Sequence, residues 1–178
     1  EKGYRLHSEI VQDGFEEESF VGTSLMRMYA TFGCFLEVQE VFYDIPDRDV
    51  ISWTALVAGC GSGEDVINYL QQMQEDGVPP NVITYICSLK GCGGIGAELR
   101  IHRLLSDILK RGFEMDTSMA YTLVEAYVKY GPIAEARKIF NKLKVEDEGF
   151  WIATVAANAD LGNDGIALYL SDHTLKAA

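Results

Sequence analysis

Cysteine is scarce in this chain of 178 residues: the four, at positions 34, 60, 87 and 92, form no C-x-x-C pair and match no metal-ligand spacing. They read as small core residues, and no metal or other cofactor is expected. Long hydrophobic runs are also missing. None approaches the roughly 18 to 20 apolar residues that cross a bilayer, so no transmembrane helix and no membrane insertion are expected. No segment sustains the apolar–polar alternation of a strand, which leaves an all-α class. The glycine run at Gly91, Gly93, Gly94 and Gly96 lacks both the following Lys-Ser/Thr and the preceding strand of a phosphate loop, and reads as an interhelical turn. Basic residues are few, 15 against 27 acidic, for a net charge of −12. That balance runs against the Lys and Arg excess with which proteins usually meet a phosphate backbone. It is uneven along the chain. Residues 1–89 hold 4 basic and 15 acidic side chains, 90–144 hold 10 and 6, and 145–178 hold 1 and 6. Only the stretch from Lys90 to Lys144 offers a basic surface, unless its charges simply solvate helix faces.

What is present is a repeat. Leu25, Tyr29, Gly33 and Phe42 return 98 positions later as Leu123, Tyr127, Gly131 and Phe140. Val21, Leu25 and Tyr29 lie four apart on one helix face, and Gly33 stops that helix because glycine adopts positive φ without steric cost. Val38, Val41, Phe42 and Ile45 then recur at i, i+3, i+4 and i+7, the stripe of a second helix that buries against the first. The second copy carries Ala136, Ile139, Phe140 and Leu143 at the same spacings, behind Pro132 in a first-turn position. A hairpin recurring with a period near 33 residues predicts an α-solenoid of antiparallel helix-turn-helix units, with Tyr29, Phe42, Tyr127 and Phe140 on the seams.

Taken in order, residues 1–18 form a partial unit. A single helix, with Leu6, His7 and Ile10 on its apolar side, stops at Gly14. The chain thus starts within a repeat and is expected to be a piece of a longer protein. Glu16, Glu17 and Glu18 place negative charge at the start of the next helix, where the macrodipole favours it. Units follow at 19–49, 50–81, 82–116, 117–147 and, in fading form, 148–178. Ten helices are expected, with the start of an eleventh. The 50–81 unit pairs Trp53, Leu56 and Val57 with Val66, Leu70 and Met73 around a glycine-rich turn, and Pro79-Pro80 closes it. It is short at 32 residues, through a tightened turn or a break in the row.

Tetratricopeptide repeats carry a small residue in the middle of their first helix. Here Met26, Val57, Leu89, Val124 and Val155 hold that place, which argues against them. The sequence instead resembles the pentatricopeptide repeat family of organellar RNA-binding proteins, in its plant form that alternates P, L and S motifs. The resemblance lies in Val21-Gly22-Thr23-Ser24-Leu25 with Met28-Tyr29-Ala30, Val41-Phe42 with Ile45-Pro46, Asp49-Val50-Ile51-Ser52-Trp53, and Met73 with Gly77-Val78-Pro79-Pro80-Asn81. By this likeness 1–18 is a partial L-like repeat, 19–49 and 117–147 are S-like, 82–116 is L-like, and 50–81 and 148–178 are P-like, the first shortened and the second degenerate.

The resemblance implies single-stranded RNA as partner, other proteins of an RNA-processing or ribonucleoprotein complex, and a plastid or mitochondrial location. It further implies that one base is read by the fifth residue of a repeat's first helix together with the repeat's final residue. These pairs are Thr23 with Asp49, Thr54 with Asn81, Ile86 with Asp116, and Tyr121 with Asp147. Phe20, Ile51, Ile83 and Ser118, second in their repeats, would pack on base faces. Thr23 with Asp49 suits the donors of a guanine edge, and Thr54 with Asn81 both donates to and accepts from adenine. Ile86 and Tyr121 depart from the polar type. Asp49, Asn81, Asp116 and Asp147 each also precede a helix, where N-capping alone accounts for Asp and Asn.

No catalytic set is complete. His7-Ser8-Glu9 matches the H-x-E of zinc deaminases but no P-C-x-x-C follows. His7 reads as a packed histidine, and His102 and His173 lack ligand-spaced partners. The expectation is a non-catalytic RNA-binding repeat protein, with a protein-interaction scaffold as the alternative.

Overall fold

The computed structural model describes residues 2–130, apart from 13, 16, 17, 94, 95, 114 and 115. Every regular element among them is helical. The helices are α1 (Lys2–Gln12), α2 (Ser19–Thr31), α3 (Phe35–Asp44), α4 (Val50–Ala58), α5 (Gly63–Glu75), α6 (Val82–Gly91), α7 (Ala97–Arg111) and α8 (Thr117–Tyr130). The expected helices beyond α8, with Phe140, lie outside the described residues.

The chain divides into two compact units, 1–95 and 96–178. In the first, α2 packs on α3 and α4 on α5 as hairpins, and the first helices lie side by side in the order α2, α4, α6. Two glycines make the hairpin ends. Gly33 and Gly77 sit at φ of 69° and 76°. Each is followed by a residue whose N–H reaches back to the helix: Cys34 N donates to the Tyr29 carbonyl at 3.0 Å and Val78 N to that of Met73 at 3.0 Å. With Gly33 N on Ala30 O and Gly77 N on Gln74 O, both ends satisfy carbonyls that would otherwise be orphaned.

The seams are aromatic. Tyr29, Phe42 and Trp53 are fully buried, and the Phe42 and Trp53 rings meet nearly edge to face at 4.7 Å between centroids. Arg48 closes the end of α3: its Nε donates to the Phe42 carbonyl at 3.2 Å, its Nη2 to that of Tyr43 at 3.0 Å, and its guanidinium lies 5.1 Å from the Phe42 ring centre. Met26, Val57 and Leu89 are also fully buried. Large side chains therefore fill the mid-helix place that a small residue takes in tetratricopeptide repeats.

The turn of the 50–81 unit, between Ala58 and Gly63, is one residue longer than the turn between Thr31 and Phe35, so it is not tightened. Its turn is glycine-rich because it lies against the preceding hairpin. A Cβ on Gly59 would stand 3.0 Å from Val38 Cγ1, and one on Gly61 would stand 2.6 Å from the Phe35 ring. Gly91 is constrained in the same way, 2.9 Å from Val66 Cγ2.

The N-terminal helix departs from the expected register. Leu6 is 48% exposed, whereas His7 and Ile10 are half-buried. The face of α1 is set by Tyr4 and His7, whose rings stand 5.7 and 5.6 Å from Tyr29. Leu6, about 200° around the helix from Tyr4, turns to solvent. His7 Nδ1 pairs with the Tyr29 hydroxyl at 2.8 Å, the packed histidine that the spacing predicted. Tyr4 donates to Glu37, which raises the Tyr4 phenol to about 12 and lowers the Glu37 carboxyl. Glu18 precedes α2 without a side-chain capping bond, so its contribution there is that of charge alone.

In the second unit α7 packs on α8, with Ile101, Leu104 and Ile108 buried along α7 and Met119, Ala120 and Leu123 along α8. Of the cysteines only Cys92 is fully buried; the other three are half-buried.

Candidate nucleic-acid interface

The row α2, α4, α6 carries a groove of about 540 Å³. Thr23, Arg27 and Thr31, one turn apart, supply the α2 wall, and Ile51, Thr54 and Ala58 the α4 wall. Asn81, Ile83 and Cys87 close it from the start of α6. Five residues singled out in the sequence are thereby brought together: Thr23, Ile51, Thr54, Asn81 and Ile83.

The apolar members are presented to solvent. Ile51 is 61% exposed and Ile83 62%, one residue into their helices, where the hairpin seam does not reach. Phe20, the equivalent in α2, is 84% exposed but does not line the groove. In the other unit Ser118 is exposed at the corresponding place in α8.

The polar members are held by backbone. Thr23 Oγ1 donates to Ser19 O at 2.7 Å and Thr54 Oγ1 lies 2.6 Å from Val50 O, each bond anchoring a hydroxyl to its own helix. Thr23 is only 8% exposed, so its hydroxyl is less open than that of Thr54. In each Asx side chain the capping bonds fall to Oδ1 alone. Asp49 Oδ1 accepts from Ile51 N and Ser52 N, both at 2.9 Å. Asn81 Oδ1 accepts from Thr84 N at 2.9 Å, and Thr84 Oγ1 accepts from Asn81 N at 3.3 Å, a reciprocal capping box. Because a backbone N–H must face an acceptor, the Asn81 amide nitrogen is the group left outward. Among the described residues neither it nor Asp49 Oδ2 is engaged. Asp49 itself does not line the groove.

Asp116 caps α8, its Oδ1 accepting from Met119 N at 2.9 Å. Its partner Ile86 is half-buried in α6, and Tyr121 is half-buried in α8. Asp147 lies outside the described residues. Arg27, Thr31 and Ala58 escaped the sequence reading, and Cys87 was read there only as a small core residue. Arg27 is the cation of the groove wall in an otherwise acidic stretch, detectable as the i+4 neighbour of Thr23. Cys87 is the i+4 neighbour of Ile83, and burial pushes its thiol up. No group of side chains suited to holding a metal occurs among the described residues. No described helix is long and apolar enough to cross a membrane.

Hairpins of two helices, repeated through the described residues, with the first helices α2, α4 and α6 side by side and a largely apolar groove along them, define a helical-repeat protein. Residues 47–95 match the pentatricopeptide repeat domain and residues 120–147 match a single such repeat. A chloroplastic pentatricopeptide repeat-containing protein of Arabidopsis thaliana is 31% identical over 169 residues, covering 93% of this chain and 27% of that protein. A second chloroplastic relative from the same plant is 30% identical, over 86% of this chain and 18% of its own length. A mitochondrial one is 28% identical, over 98% of this chain and 28% of its own. The chain belongs to the pentatricopeptide repeat family, whose members are in general RNA-binding proteins of organelles. It spans less than a third of the length of these relatives.

Proposed function

We propose that this chain is the RNA-binding part of a longer protein that acts in RNA processing or editing in a plastid or mitochondrion. It lays single-stranded RNA along the groove of α2, α4 and α6 and performs no chemistry there itself. The observation that carries this reading is the pairing, in one groove, of exposed apolar Ile51 and Ile83 with Thr54 and Asn81. Flat bases pack on the first two, and a base edge meets the second two. Thr23 with Asp49 reads the adjacent nucleotide. Asp116, whose partner is Ile86, contributes a cap and shape. The compartment agrees with that of the relatives named chloroplastic or mitochondrial.

A second reading is favoured by one specific observation. Residues 1–89 carry 4 basic against 15 acidic side chains, which repels phosphate and suits a basic protein partner. The two are separated by a mobility-shift titration with short single-stranded RNA at several salt concentrations. RNA binding predicts a linear fall of log affinity with log salt, a slope reduced by about one when Arg27 is replaced by Ala, and a larger reduction when the exposed Arg103, Lys110 and Arg111 are reversed. No shift at low salt would leave the scaffold reading in place.

A further inference from the structure

The α2 wall of the groove carries a single side-chain donor that is still available. Thr23 Oγ1 gives its proton to Ser19 O at 2.7 Å and Thr31 Oγ1 gives its own to Arg27 O at 2.8 Å, so neither hydroxyl has a proton left for a ligand. Ala30, the other lining residue of that wall, offers none. Arg27 is exposed between the two threonines and presents N–H groups in a fixed fork. Among the described residues it is also the one charged group that lines the groove.

Arg27 is uncommitted where acids are plentiful. Residues 1–89 hold 4 basic side chains among 15 acidic ones. Arg5 lies 3.5 Å from Glu9, and Arg48 spends its donors on the carbonyls of Phe42 and Tyr43. Arg27 has no side-chain hydrogen-bond or ion-pair partner among the described residues. The residues three and four away on its own helix, Thr23, Ser24, Ala30 and Thr31, include no acid that would neutralise it.

The pair that meets the first nucleotide has the opposite character. Thr23 has spent its proton, and the Asp49 carboxylate only accepts. Two acceptors suit the ring N–H and amino group of guanine, but they leave its keto oxygen O6 and its N7 without a donor. Those two atoms lie side by side, and a guanidinium fork meets them with two parallel N–H bonds. Arg27 stands one turn along from Thr23, about 5 to 6 Å between Cβ atoms, a gap its long side chain spans. Adenine reverses the pattern, turning an amino group toward the fork and a bare ring nitrogen toward the acceptors.

We infer that Arg27 is a specificity-determining residue, which selects guanine at the nucleotide read by Thr23 and Asp49 by donating to O6 and N7. The inference rests on the reading that this pair meets a base. In the next repeat Ala58 holds the place of Arg27, so Thr54 and Asn81 read their base without such a donor.

The test is competition between RNA oligonucleotides, using the full chain. Each holds an adenine for Thr54 and Asn81 and carries guanine, 7-deazaguanine or adenine at the two flanking positions. 7-Deazaguanine keeps the keto group and the ring N–H and loses only N7. The wild type is expected to prefer guanine to adenine and to bind 7-deazaguanine about fivefold more weakly than guanine, the share of one bond in a bidentate contact. Arg27→Lys keeps the charge but not the fork. It is expected to cut the preference for guanine over adenine about tenfold and to bind guanine and 7-deazaguanine alike. The salt slope does not separate a base contact from a phosphate contact here, because the charge of Arg27 lies near the backbone in both; the choice of base does. Wild-type protein that prefers guanine to adenine yet binds 7-deazaguanine as well as guanine, or Arg27→Lys that keeps the wild-type preferences, overturns the role of Arg27 while reading by Thr23 and Asp49 stands. Wild-type protein that binds all three oligonucleotides equally removes that reading, and the role of Arg27 with it.

Discussion

Replacing Phe42 by Ala probes the joint between the first two hairpins. The ring is fully buried, stands 4.7 Å from Trp53 and 5.5 Å from Tyr43, and carries the Arg48 guanidinium 5.1 Å from its centre. Truncating a packed Phe costs about 3 to 5 kcal/mol. Edge-to-face pairing accounts for about 0.5 to 1.5 kcal/mol of that kind of loss. Because Phe42 makes such a contact with Trp53 across hairpins, the value belongs in the upper half of the range, about 4 to 5 kcal/mol. Phe42→Leu keeps most of the volume and loses the ring, so it should cost about 1 to 2 kcal/mol. The assay is urea unfolding followed both by far-UV circular dichroism and by Trp53 fluorescence in a Trp151→Phe background. Two probes are required because repeat arrays need not unfold in one step. A loss below about 1 kcal/mol for Phe42→Ala, or equal losses for the Leu and Ala variants, would refute the packing argument.

Two further outcomes follow from local geometry. Gly61→Ala puts a methyl against the body of the Phe35 ring and should destabilise by about 1 to 3 kcal/mol, with much of the loss recovered when Phe35 is also replaced by Ala; an unaltered urea midpoint would contradict the close approach. Burial pushes the Cys60 thiol up to about 12, so at pH 8 it should be alkylated by iodoacetamide far more slowly than an unfolded control. The same shift makes folding lose stability as pH rises from about 9, where the unfolded thiol ionises, toward 12. Labelling of Cys60 as fast as in urea, read by peptide mass spectrometry, would rule out its burial.

Local periodicity carried most of the fold. The seam positions Tyr29 and Phe42 and the glycine stop at 33 were legible because each depends on spacings within a few helical turns, and the family was legible through the likeness of its motifs. What escaped depends on contacts between elements far apart in sequence. Nothing near Leu6 tells that Tyr4 and His7 dock on Tyr29 and turn Leu6 outward. The glycines at 59 and 61 looked like an ordinary turn, yet their size is dictated by Val38 and Phe35 in the preceding hairpin. At the site, capping and base reading looked like rival accounts of Asp49 and Asn81. The cap takes only Oδ1 of each Asx group, so capping leaves the second atom unused, which only the orientation of the side chain reveals. Thr84 was hidden for a related reason: a capping box usually closes with Glu or Gln, and its partner Thr54 lies 30 residues away.

The central claim, that Asn81 reads a base through the atom left over from its cap, is tested most directly by Asn81→Asp. Aspartate caps as well as asparagine, so Oδ1 keeps the Thr84 N–H and stability should change little. Asn81→Ala provides the contrast, losing about 0.5 to 2 kcal/mol with the cap whether or not RNA binds. In the aspartate variant the outward donor becomes an acceptor. Competition between oligonucleotides carrying adenine or guanine at one position should therefore shift from adenine toward guanine, by roughly 1 to 3 kcal/mol in the difference. Equal affinity for both oligonucleotides, in the wild type and the aspartate variant alike, would reduce Asn81 to a helix cap and contradict the account.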